Sequence, residues 1–140
     1  MPSEPSTPLN VAAGLAANGY LADEGLVTAV FLAMSLRRPL FLEGEAGVGK
    51  TELAKTIAHW QGTELIRLQC YEGIDSAQAV YDWDYSRQLL HLRAAEASGE
   101  TQGKGTAELE GQLYDERFLL KRALLRAIDH KNATPPVLLI

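Results

Sequence analysis

Apolar and polar positions recur along the chain in two periods, and the switches between them mark its elements. Leu26, Val30, Ala33 and Met34 follow one another at the spacing of a helix face, with Asp23 in front of them as an N-cap. That helix has to close before Pro39, because proline disfavours helical geometry at Arg38. A second stripe starts at Thr51 and turns Leu53, Ala54, Ile57 and Ala58 inward, with Trp60 beside them, until Gly62 breaks the pattern. Three short apolar runs, near 40–43, 65–69 and 137–140, read instead as buried strands. Strands alternating with helices predict an α/β fold with parallel strands.

The remaining pattern is weaker. Residues 1–8 are polar and rich in Pro and Ser, and an Ala/Gly-rich stretch then runs to a turn at Asn18-Gly19. Residues 1–18 are therefore expected to be disordered or poorly packed, with the folded core over 19–140. Asp75 or Ser76 caps a short helix through Val80. Tyr81-Asp82-Trp83-Asp84-Tyr85 alternates aromatics with acids and is a short strand or an extended loop. Its aromatics make a half-buried packing surface or project to grip a polypeptide. Ser86 to Ala97 reads as a helix anchored by Leu89, Leu90 and Leu92, and the apolar-poor stretch near 98–112 as a flexible loop. Leu113 to Asp129 reads as one more helix, through Phe118, Leu120, Leu124, Leu125 and Ile128. Lys121, Arg122, Arg126, His130 and Lys131 gather towards its end, as cations on a helix C-terminus and solvated face, or as phosphate-sensing or partner-contacting groups.

Between the first strand and the Thr51 helix lies Gly44-Glu45-Ala46-Gly47-Val48-Gly49-Lys50-Thr51, which fits G-x-x-x-x-G-K-[ST] in the strand–loop–helix setting that a phosphate-binding loop requires. Its glycines let the backbone curl so that successive N–H groups face one anion. Lys50 supplies a mobile positive charge for the β- and γ-phosphates, and the Thr51 hydroxyl supplies an oxygen ligand for Mg²⁺. The helix dipole acts in the same direction. The expected ligands are ATP and Mg²⁺.

Composition narrows the partners. The 140 residues carry 13 basic and 18 acidic side chains, a net charge of −5, so there is no general field for nucleic acid or an acidic membrane surface. The single cysteine, Cys70, excludes an internal disulfide; it reads as a small core residue or, failing that, a reactive thiol. His59, His91 and His130 lack the paired spacing of a metal site. The polar N-terminal residues resemble neither a signal peptide nor a membrane span, and a cytoplasmic location is expected.

Pro39 to Gly44 leading into Gly49-Lys50-Thr51, then Leu65-Ile66-Arg67-Leu68-Gln69-Cys70-Tyr71-Glu72-Gly73, Ala77-Gln78-Ala79-Val80-Tyr81 and Tyr85-Ser86-Arg87-Gln88-Leu89-Leu90, resemble the MoxR-type AAA+ ATPases. Within them the chain is most similar to the branch associated with maturation of carbon monoxide dehydrogenase and related molybdenum hydroxylases. The resemblance runs from about Gly19 to Ile140. It implies a three-layer P-loop core and a ring, commonly hexameric, that uses ATP to remodel a partner or help insert a metal centre. A von Willebrand factor A domain protein is often associated. It also implies that the loop is Walker A and that Gly19 and Tyr20 lie beside the base. Ala123 departs from it, since relatives often carry proline after the arginine.

In that family the strand matching Val137 to Ile140 is followed by an Asp-Glu pair, the Walker B acids, and later by a polar sensor, an arginine finger and a helical lid. None of these is among the 140 residues. Phosphoryl transfer depends on such positioned charges, so this polypeptide is expected to bind nucleotide weakly at best and not to hydrolyse it. The same resemblance implies a gap in the sheet between residues 40–43 and 137–140, leaving open strand edges that invite aggregation. In a small P-loop kinase or GTPase those strands would be neighbours. A non-catalytic nucleotide-binding or subunit-interaction fragment is the remaining alternative.

Overall fold

The computed structural model describes residues 6–99, 105–131 and 133–140. In chain order the first elements are α1 (Pro8–Ala17), α2 (Glu24–Leu36), α3 (Lys50–Gln61), β1 (Leu65–Arg67), α4 (Ser76–Val80) and β2 (Tyr81–Trp83). Then come α5 (Tyr85–Ser98), α6 (Thr106–Leu113), a 3-10 turn over Glu116–Phe118, β3 (Leu119–Lys121), α7 (Ala123–Ile128) and β4 (Val137–Leu139). They group into two compact units, one of the residues up to Leu68 with His130–Ile140, the other of Gln69–Asp129. No described helix is long and apolar enough to cross a membrane.

The first unit is built on apolar burial. Val11 and Leu15 of α1, Val27 and Val30 of α2 and Leu53 of α3 form its core, with Tyr20, Leu40, Leu42, Ile57 and Trp60 packed around them. The expectation of a poorly packed segment up to residue 18 is thus corrected for α1. Thr7 caps it by accepting from the Asn10 N–H, Pro8 starts it, and Val11 and Leu15 one turn apart are fully buried. The low polarity that looked like a flexible Ala/Gly stretch is what lets α1 pack closely. A side chain at Gly14 would overlap the Trp60 ring. Asp23 caps α2 as expected, its Oδ1 accepting from Leu26 N–H at 2.8 Å, and Arg37 closes the helix in the left-handed region at φ 52°.

β1 and β4 pair in parallel, with Leu65 opposite Val137 and Arg67 opposite Leu139. Residues 40–43, expected as a third parallel strand, form no strand. Leu40 and Leu42 turn into the core while Phe41 is 85% exposed, which is the alternation of a strand without its ladder. Among the described residues the ladders are β1 with β4 and β2 with β3, and residues 40–43 join neither. The parallel pairing of β1 with β4 agrees with the parallel α/β core expected from the sequence.

In the second unit β2 and β3 pair antiparallel, Tyr81 opposite Lys121 and Trp83 opposite Leu119. The single helix expected over Leu113 to Asp129 is corrected here. Asp115 caps the 3-10 turn, Phe118 is buried with 2% exposure, and the chain runs on as β3 before α7. Apolar spacing suited a helix, but cross-strand pairing with Tyr81–Trp83 decided the outcome. The loop expected near 98–112 is helical from Thr106, and residues 100–104 lie outside the described set. Leu89 and Leu90 are not buried anchors; Gln88 and Ala95 face inward instead, and the Gln88 amide donates to the Leu113 carbonyl. Cys70, expected in the core, is exposed. It lies beyond the end of β1, where the ladder no longer fixes which face a side chain takes.

Candidate phosphate-binding site

The loop from Gly44 to Gly49 leads into α3, and its shape follows from its glycines. Gly47 and Gly49 sit at φ 85° and 97°, in the region that side chains other than glycine rarely adopt. Gly49 is the residue before the first turn of α3, and no side chain caps that turn. By contrast Thr7, Asp23, Asp75 and Asp84 cap α1, α2, α4 and α5 with a side-chain oxygen each. The first-turn N–H groups of α3 are therefore without the side-chain acceptor those helices have. An uncapped helix start in front of a left-handed glycine is the arrangement that accepts an anion.

Lys50 lies at the first position of α3, with its ammonium folded back over the loop. It donates to the carbonyls of Gly44, at 2.7 Å, and Glu45, at 2.5 Å. Its charge thus stands over the loop on carbonyls it can exchange for phosphate oxygens. Glu45, Ala46, Val48 and Thr51 are exposed. A side chain at Gly47 would meet nothing within 4 Å, so the loop mouth is open.

Tyr20 comes to the same place from α1. The turn at Asn18-Gly19 returns the chain so that Tyr20 N–H donates to the Leu15 carbonyl at 3.0 Å, and Gly19 sits at φ 78°. The Tyr20 ring stands about 3.5 Å from where a Cβ on Gly49 would be. The structure therefore brings Gly44 to Thr51 and Tyr20 together, with Gly19 one residue from the contact.

A comparison with protein families matches residues 39–114 to the AAA domain, dynein-related subfamily. The chain belongs to that family. More than half of its length is covered by the match, which begins at Pro39 before the loop. No solved structure matches it. AAA ATPases use ATP with Mg²⁺ and often assemble into rings. The donor set of this AAA domain fits such a ligand: open backbone N–H groups at the α3 start, a lysine over them and a hydroxyl at Thr51. Among the described residues no group of three or more His, Cys, Asp or Glu could hold a metal. Thr51, exposed next to Lys50, is a residue whose hydroxyl could ligate Mg²⁺.

Sequence reasoning missed the support behind the site. Asn18 donates through Nδ2 to the Gly14 carbonyl at 2.7 Å and accepts from His59 Nδ1 at 2.6 Å. This ties the end of α1, and with it the turn carrying Tyr20, to α3. His59 and Asn18 are separated by 41 positions, and no local pattern announces the contact.

Proposed function

We propose that this chain is the ATP-binding part of a MoxR-like AAA+ ATPase, of the branch associated with carbon monoxide dehydrogenase maturation. That ATPase would couple ATP hydrolysis to remodelling, or to metal-centre maturation, of a partner protein. The observation that carries the nucleotide part is the uncapped start of α3 behind Gly49, with Lys50 lying over the loop. The AAA match supports ATP as the nucleotide. Leu68 to Gly73 and Arg87 to Leu90 carry the MoxR likeness. A hexameric ring, a von Willebrand factor A domain partner and a molybdenum hydroxylase client belong to the same reading, as does a cytoplasmic location.

Within it, Gly44 to Gly49 and the α3 start would hold the phosphates, Lys50 would give up its two carbonyl partners for β- and γ-oxygens, and Thr51 would hold the metal. Gly19 and Tyr20 flank the base. Mg²⁺ would supply charge neutralisation between the phosphates. In the same reading these 140 residues by themselves bind nucleotide weakly at best and do not hydrolyse it.

Calorimetric titration of Mg·ATP into the 140-residue chain tests the site, and phosphate release tests turnover. Binding that disappears in Lys50→Ala, with no phosphate released, is the expected result. Equal binding by Lys50→Ala would remove the site, and Lys50-dependent phosphate release would remove the claim of inactivity.

A further inference from the structure

In the Gln69–Asp129 unit, Arg87, Leu90, His91 and Ala94 follow at intervals of three and four along α5, so they share one face. With Arg117 and Phe118 they line a shallow depression of about 240 Å³. Leu90 is 68% exposed at this face, although the unit has an apolar floor beside it in Phe118.

Two guanidinium groups are fixed here by contacts that use only part of their donors. Arg87 gives one N–H to the Arg117 carbonyl at 3.1 Å. Arg117 lies over the Phe118 ring, 4.7 Å from its centroid, and meets His91 Nε2 at 3.0 Å. The Asp115 carboxylate stands 3.9 Å from Arg117 Nε, beyond hydrogen-bond distance, so it compensates the charge loosely. A guanidinium carries more N–H groups than these contacts take up, in a planar fork that suits a carboxylate.

We propose that this depression docks an acidic segment of a partner polypeptide. Its carboxylates would meet Arg87 and Arg117, and an apolar side chain between them would lie on Leu90, Ala94 and Phe118. The charge is complementary, and the forks are held in place before the partner arrives, which lowers the ordering cost of binding. The volume is below the roughly 300–1,000 Å³ of small-molecule pockets, which favours side chains of an extended segment over a free metabolite. The proposal uses none of the phosphate-loop residues and does not rest on nucleotide binding.

The test is calorimetric titration of a blocked peptide, Ser-Glu-Glu-Leu-Glu-Glu-Ser, into the full chain. Two control peptides carry Gln in place of every Glu, or Ser in place of Leu. Binding is expected to weaken about tenfold in Arg87→Ala and in Arg117→Ala, and to fall as salt is raised. Leu90→Asp should weaken it as much, and because Leu90 is exposed this variant keeps the fold even if Arg117→Ala does not. Lys55→Ala, on the other unit, should change nothing. The proposal is overturned if the peptide does not bind, if either control peptide binds as well, or if Arg87→Ala and Leu90→Asp bind like the parent. Preference for a poly-uridine RNA over the peptide would overturn it too.

Discussion

Around the phosphate loop, Val11, Leu15, Val30 and Leu53 are all but removed from water, whereas in Gln69–Asp129 Phe118 is the one large apolar side chain buried among the described residues. The second unit relies on polar contacts in its place. Asp75, Asp84 and Asp115 cap its helical turns, Gln88 reaches the Leu113 carbonyl, and Arg122 pairs with Asp82 at 3.1 Å. Lys121 bonds both Glu116 and Asp129. Apolar burial is non-directional and survives salt, while exposed ion pairs contribute little and are screened. The difference places the loop on a rigid support and gives the second unit the character of a region that opens locally at low cost.

The largest way to break this contrast is to remove the support. Leu53→Ala should lower the stability of the first unit by about 3 kcal/mol, read as a shift of its urea midpoint, because it would open a cavity in the buried cluster of Val11, Leu15, Val27 and Val30. A loss under about 1 kcal/mol would mean that the core is looser than its burial implies. Next, Lys50→Ala should cost about 2 kcal/mol or more of Mg·ATP affinity, roughly thirtyfold, while leaving that midpoint in place. Its two carbonyl contacts are exposed and add little to folding.

In the second unit the effects shrink. Asp84→Ala removes the acceptor of Arg87 N–H, a 2.9 Å bond, and should cost about 1 kcal/mol, seen as faster amide exchange in the first turn of α5. The smallest effect is that of pH on the β2–β3 hairpin. The hydrogen bond from Arg122, and then that from the Trp83 N–H, hold the Asp82 carboxyl below the ordinary carboxylate range. Its contribution is therefore full above the unfolded value and fades as pH falls through the lowered folded one. Hydrogen bonds to Asp129 and Glu116 raise the Lys121 ammonium, whose contribution is full below its ordinary value and fades as pH rises through the raised one. Protection factors in Tyr81–Trp83 should drop at both extremes, and Asp82→Asn should flatten the acid side alone.

The same contrast explains what the sequence disclosed. The Asp23 cap, the Gly62 stop and the loop from Gly44 to Thr51 are local rules, legible wherever neighbours in sequence are neighbours in space. The strands β1 and β4 were legible as short apolar runs, and their parallel sense followed from the alternation of strands with helices, while their pairing came only with the structure. What could not be read depends on distant partners. Helix-like spacing at Phe118 and Leu120 gave way to a strand because Tyr81–Trp83, far back in the chain, offered a ladder. The Ala/Gly run of α1 looked featureless because its value lies in what it omits, a side chain at Gly14. In the second unit, a polar Gln88 turned inward and Leu90 outward, against the pattern that works where burial dominates.

The Gly14 contact also gives the protein an optical handle. The Trp60 ring fills the space that a side chain at Gly14 would need, so its indole is wedged between α1 and the far end of the helix that begins at Lys50. The chain has two tryptophans, and replacing Trp83 with phenylalanine would leave Trp60 as the sole intrinsic fluorophore of that kind. Its emission colour and quenching would then report, with no label attached, whether α1 stays seated on α3 as the phosphate loop fills.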